Sequence, residues 1–241
     1  MTDNAASSPT VVLVHGAFAD AGSWAGVVEL LLAEGVKVQA PANPLRGLAA
    51  DAAYVRSVIE QIEGPVLAVG HSYGGAVITN ATTGLANVRG LVYVAAFAPD
   101  EGEALGDVEA GSTDSVLNAA LKPATYPTDG EPAPELYVDP ARFHEAFASD
   151  LPPDQSAVLG ASQRPVAAAA FAEKTGSPAW KTLPSWAVVA AGDKAAGADV
   201  IRSMAERAGA DAIELEGSHV IMISQPRAVT DHILRALKAV S

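Results

Sequence analysis

The chain has 241 residues and no cysteine. Disulfides, thiolate catalysis and cysteine-ligated metals are excluded with it. Basic residues are also scarce: 15 Lys and Arg against 28 Asp and Glu give a formal charge of −13. Such a chain repels phosphate backbones and anionic membranes at long range, so neither nucleic acid nor a membrane is an expected partner. No apolar run approaches the roughly 20 residues that span a bilayer. The stretch Met1 to Pro9 is polar and lacks the basic start and apolar run of a secretory signal, so a cytoplasmic location is expected.

What is present is a chain 49% hydrophobic, with no block of low complexity and no internal repeat. Its length suits one domain with a single large core. Short apolar runs at 11–14, 36–40, 66–69, 91–95, 186–191 and 212–215 alternate with helical patterns. Runs without polar alternation mark strands buried on both faces, and their alternation with helices predicts a mainly parallel, doubly wound sheet of about six strands. A helix capped by Ser23 is expected to run to Glu34 and stop at Gly35. Others are expected at 48–63, after Ser72, at 199–208 and at 226–240, where Pro226 suits a first helical position.

The rhythm breaks near Pro99 and returns near Pro184. Between them the chain is rich in Pro, Ala and acidic residues and shows no convincing strand. Helical pieces are expected near 115–121, 141–148, 155–162 and 166–174. So long a stretch is no ordinary loop. It reads as an inserted helical cap, 99–184, on an α/β core made of 1–98 and 185–241.

One motif carries chemistry. Gly70-His71-Ser72-Tyr73-Gly74-Gly75 follows a predicted strand and opens a predicted helix, the setting of a nucleophile elbow. In so tight a turn, side chains at Gly70 and Gly74 would collide with neighbouring backbone, and the strain lifts the Ser72 hydroxyl clear of the sheet. A serine hydroxyl needs a base. Of the five histidines, His219 follows the last short strand, where a Ser, acid, His order puts the base. His71 points away from its neighbour and is expected to pack structurally. His15 is expected to brace its loop, His144 lies in the cap, and His232 is expected at the surface of the last helix. The acid is expected at Asp193, directly after a strand, with Asp199 and Asp100 as alternatives; Asp211 stands at the wrong end of its strand. Oxyanion donors are expected at the backbone N–H groups of Tyr73 and Ala17.

These residues resemble the α/β-hydrolase superfamily over nearly the whole chain. The stretch His15 to Trp24 resembles the branch of plant methyl esterases, hydroxynitrile lyases and bacterial, pyrethroid-type carboxylesterases. The resemblance implies a helical cap after the sixth family strand and the triad Ser72, Asp193, His219. Hydroxynitrile lyases of the branch carry Thr where Gly16 stands and Lys where Val220 stands. Dehalogenases and epoxide hydrolases carry Asp where Ser72 stands. Many relatives follow the acid with an apolar residue and a proline, where this chain has Ala195-Ala196-Gly197.

The expected activity is cofactor-free, metal-free hydrolysis of carboxylic esters, with lactones and thioesters within the same chemistry. An apolar cap ceiling of Leu105, Leu117, Leu121, Tyr126, Phe143, Phe147, Leu151 and Leu159 points to small hydrophobic esters. A non-catalytic ligand-binding protein and a cofactor-free perhydrolase or haloperoxidase-type activity are the alternatives. A homodimer through the cap or an edge strand stays open.

Overall fold

The computed structural model describes residues 9–241, so the polar N-terminal stretch lies, except for Pro9, outside the described residues. The central sheet holds β1 (Thr10–Val14), β2 (Lys37–Gln39), β3 (Val66–His71) and β4 (Val88–Val94) from the first part of the chain. After residues 99–184, which lie outside this sheet, it is completed by two further strands, labelled β8 (Ser185–Ala190) and β9 (Asp211–Leu215) by chain order. The order is β2-β1-β3-β4-β8-β9, and every pair is parallel. Chain order reverses at β1, so the crevice at the carboxyl ends of β1 and β3 is where such sheets bind ligands.

Strand residues of period two divide between two buried layers. Val12, Val14, Ala68, Tyr93 and Val189 face α2 (Leu48–Glu60) and α3 (Tyr73–Ala81). Val11, Leu13, Val69, Val92 and Val188 face α1 (Ala25–Ala33) and the last helix, Pro226–Val240. Each fully buried Val or Leu contributes about 1.5–3 kcal/mol. The two edge strands, β2 and β9, are half-exposed and carry the charged residues Lys37, Asp211 and Glu214, which discourage further pairing.

Three expectations are corrected. Residues 99–184 are not purely helical: β5 (Leu121–Tyr126), β6 (Ala133–Val138) and β7 (Val166–Ala167) form a three-stranded antiparallel sheet. Pro123 and Pro134 stand inside β5 and β6 and hide their strand character, because proline cannot donate to a ladder. The N-cap near residue 23 is Asp20, which accepts from the Gly22 N–H at 2.7 Å; Ser23 sits inside the 3-10 turn Ala21–Trp24 that precedes α1. His232 is buried, not at the surface. It shares the inner face of the last helix with Val229, Ile233 and Ala236, and its Nε2 donates to the Asp211 carbonyl at 3.0 Å.

Candidate active site

Three strand ends converge. β3 delivers Ser72, the loop after β8 delivers Asp193, and the turn after β9 delivers His219. Register explains the convergence: His71 lies opposite Val94, Val94 opposite Val188, and Ala190 opposite Leu215. Residues just past these positions therefore emerge at one edge of the sheet.

Ser72 has φ 53° and ψ −125°, a backbone conformation that costs a non-glycine residue about 1–3 kcal/mol. Its own backbone holds it there. The Ser72 N–H donates to the Val94 carbonyl at 3.3 Å, and its carbonyl accepts from Gly75 and Phe97 at 2.9 and 3.2 Å. Gly74 has to be glycine for space: a Cβ there would fall on the Val14 carbonyl oxygen. Gly16 is pressed against Ser72, since a Cβ on it would lie 2.6 Å from the Ser72 Cβ.

The Ser72 hydroxyl is 2.8 Å from His219 Nε2. His219 Nδ1 is 2.7 Å from Asp193 Oδ2, and both side chains are buried to within 1%. The other carboxylate oxygen, Oδ1, accepts from the Ala195 and Ala196 N–H groups at 2.9 and 3.0 Å. Thus the loop that departs from the family pattern supplies two donors to the carboxylate. With Asp193 ionised, Nδ1–H donates to it and Nε2 accepts from the serine. Neither alternative acid lies here. Asp100 pairs with Lys181 at 2.5 Å, and Asp199 binds the Ser112 hydroxyl at 2.6 Å.

The other histidines hold backbone. His71 Nε2–H donates to the His219 carbonyl at 2.9 Å, and burial keeps its imidazole far below its ordinary pKa and uncharged. His15 donates from Nδ1 to the Gly16 carbonyl at 2.9 Å and accepts from the Asn43 N–H at 3.0 Å. Burial pulls its pKa down to about 4. It stiffens the turn on which Ala17 sits. Phe18 follows with φ 60°, which turns the chain sharply there. The Tyr73 N–H, at the first position of α3, has no partner within its helix.

A cavity of about 320 Å³ adjoins this cluster, lined by Phe18, Phe143, Phe147, Leu159, Val220 and Met222 among others. Phe147 belongs to both, since its ring lies 4.8 Å from the His219 ring. Of the expected apolar ceiling, Phe143, Phe147 and Leu159 line the cavity. Leu105, Leu117 and Leu151 are buried elsewhere in the core, and Tyr126 lies under the Arg46 guanidinium at 4.4 Å. His144 is not among the lining residues.

One residue escaped the sequence. Asp51 is fully buried in α2 and accepts from the Tyr73 hydroxyl at 2.8 Å and the Arg46 N–H at 3.1 Å. Burial raises its pKa. The signal was its spacing: Asp51, Val55 and Ile59 stand four apart on one helix stripe.

A carbendazim-hydrolyzing esterase from Nocardioides sp. is 35% identical over 107 residues, 39% of this chain. The match covers 44% of that relative, so the chain spans less than half its length. The solved structure of polyneuridine aldehyde esterase superposes with a TM-score of 0.80 at 23% identity, covering 95% of this chain and 99% of that one. A pyrethroid hydrolase from Sphingobium faniae superposes with a TM-score of 0.78 at 23% identity, covering 96% and 98%. A methylesterase from Arabidopsis does so at 0.78 and 21% identity, covering 96% and 99%. At these identities the superpositions show a shared fold. The model of the alpha/beta hydrolase family matches residues 11–232, and the chain belongs to that family.

Proposed function

We propose that this protein hydrolyses carboxylic esters through Ser72, with His219 as base and Asp193 orienting it. The observation that carries the reading is the unbroken hydrogen-bond chain from buried Asp193 through His219 to a Ser72 held in a strained turn. His219 takes the hydroxyl proton as Ser72 Oγ attacks the ester carbonyl. The developing oxyanion is held by the N–H groups of Tyr73 and Ala17. His219 then protonates the departing alcohol, and an acyl-serine remains. Water, deprotonated by the same imidazole, releases the acid and restores Ser72.

Relatives support the same bond class: the carbendazim-hydrolyzing protein and the polyneuridine aldehyde protein are both named esterases. The substrate is read as small and hydrophobic, because the adjoining cavity is about 320 Å³ with a largely aromatic and aliphatic lining under the inserted cap.

The test is a panel of p-nitrophenyl esters from acetate to dodecanoate, run on wild type and Ser72→Ala together. Turnover by the wild type with a loss of about a thousandfold or more in the variant is expected. Inactivity of both towards every chain length would sink the catalytic reading and favour ligand binding.

A further inference from the structure

The turn that carries His219 is gripped from two sides. From the core, the Gly192 N–H donates to the Gly217 carbonyl and His71 Nε2–H to the His219 carbonyl, both at 2.9 Å. From the insertion, the grip comes from the end of the helix Pro140–Phe147 and the residues just after it. Phe147 sets its ring against the His219 imidazole, with planes 69° apart. Asp150 accepts a hydrogen bond from the hydroxyl of Ser218, the buried residue next to the base. The other carboxylate oxygen of Asp150, Oδ2, lies against Gly217, where a Cβ would come within 2.7 Å of it. Gly217 also has φ +157°, so the niche for the carboxylate exists only because that residue has no side chain. Burial pushes the Asp150 carboxyl up, but hydrogen bonding, from the Ser218 hydroxyl foremost, outweighs this and holds it below the ordinary range. It is charged at neutral pH.

We propose that Asp150 is a positioning residue: through Ser218 it sets the aim of His219 at Ser72, and it makes that aim depend on the insertion being seated. The proposal rests on His219 being the base. Asp150 touches no reacting atom in this scheme. Its effect arises because the Ser218 backbone leads directly into His219, and proton transfer tolerates little misplacement.

The variants are Asp150→Ala, Asp150→Asn and Ser218→Ala, with the double variant Asp150→Ala/Ser218→Ala. Three readouts are needed: kcat and KM on a p-nitrophenyl ester, thermal unfolding, and the downfield proton NMR signal of His219 Nδ1–H. Asp150→Ala and Ser218→Ala are expected to lose about tenfold in kcat with KM unchanged. Asp150→Asn, whose amide oxygen still accepts, is expected to keep most of the activity. The double variant should be no worse than either single one, because both remove one link. The downfield signal should broaden in the two Ala variants. Unchanged kcat in Asp150→Ala overturns the proposal. So does a loss that follows the fall in melting temperature while the His219 signal stays sharp. If the wild type turns over no ester but the signal still broadens in Asp150→Ala and Ser218→Ala, the ester reading fails and the positioning link stands.

Discussion

In the proposed triad, Asp193 is the residue that orients the base. Its two oxygens divide their duties: one binds His219, and the other is held by two main-chain N–H groups. Replacing it with Asn substitutes an amide that can turn its NH2 towards Nδ1, which reverses the tautomer and points a proton at Ser72. Asp193→Asn is therefore expected to fold normally and lose about a thousandfold or more in kcat. Near-normal turnover by a folded Asp193→Asn protein would place the acid elsewhere. Tyr73 behaves in the opposite way. Its proposed catalytic group is the backbone N–H, whereas its side chain binds buried Asp51 at 2.8 Å. Tyr73→Phe should keep kcat within a few-fold and lower stability by about 1–3 kcal/mol, the cost of leaving a buried polar group without its partner. Urea unfolding beside steady-state kinetics separates the two effects. A large loss of kcat without loss of stability would contradict this assignment of roles.

Elements were legible where packing and propensity agree. β1, β3, β4 and β8 are largely apolar runs, and runs of that kind are buried on both faces between two helical layers. The elbow was legible for the same reason: a glycine pair around a serine between strand and helix has few other uses. What could not be read depends on contacts distant in sequence. The insertion's sheet is masked by Pro123 and Pro134, and it closes only when β7 adds to β6 through Glu135 and Leu136. Asp51 looks like a favourable acid in a helical first turn until Tyr73 is found above it. The grip of Asp150 on Ser218 joins residues 68 apart. Glycines give a test at this scale. Gly74→Ala forces a Cβ onto the β1 backbone, so the contact of α3 with β1 has to open. It is expected to cost about 3 kcal/mol or more and to abolish activity. Gly35→Ala, at φ +73° with open space around it, should cost only about 1 kcal/mol, the strain of a left-handed residue after α1. Equal melting temperatures for the two variants would contradict the packing argument.

At the scale of the whole molecule, acid sensitivity follows from buried neutral histidines. Burial holds His15 at about 4 and His71 well below its ordinary value, while both regain about 6.5 in the unfolded chain. The unfolded chain thus binds more protons below pH 6.5. Stability is full above that value and is lost as pH falls towards 4, by about 1.4 kcal/mol per pH unit for each histidine. Melting temperatures measured from pH 7.5 to 4.5 should fall, and His15→Gln should flatten the slope. A profile that stays level over that window would contradict the assignment. His219 adds the link from this scaffold to chemistry, because the strands that bury His71 also carry the three residues joined at the sheet edge.

The central claim is that Ser72 is the group that becomes acylated, and trapping it tests that most directly. The wild-type protein is treated with a fluorophosphonate, digested, and read by mass spectrometry beside Ser72→Ala. One adduct on the peptide that contains Ser72, absent from the variant and slowed in His219→Ala, is the predicted result. Labelling of another residue, or equal labelling of the wild type and Ser72→Ala, would contradict the account.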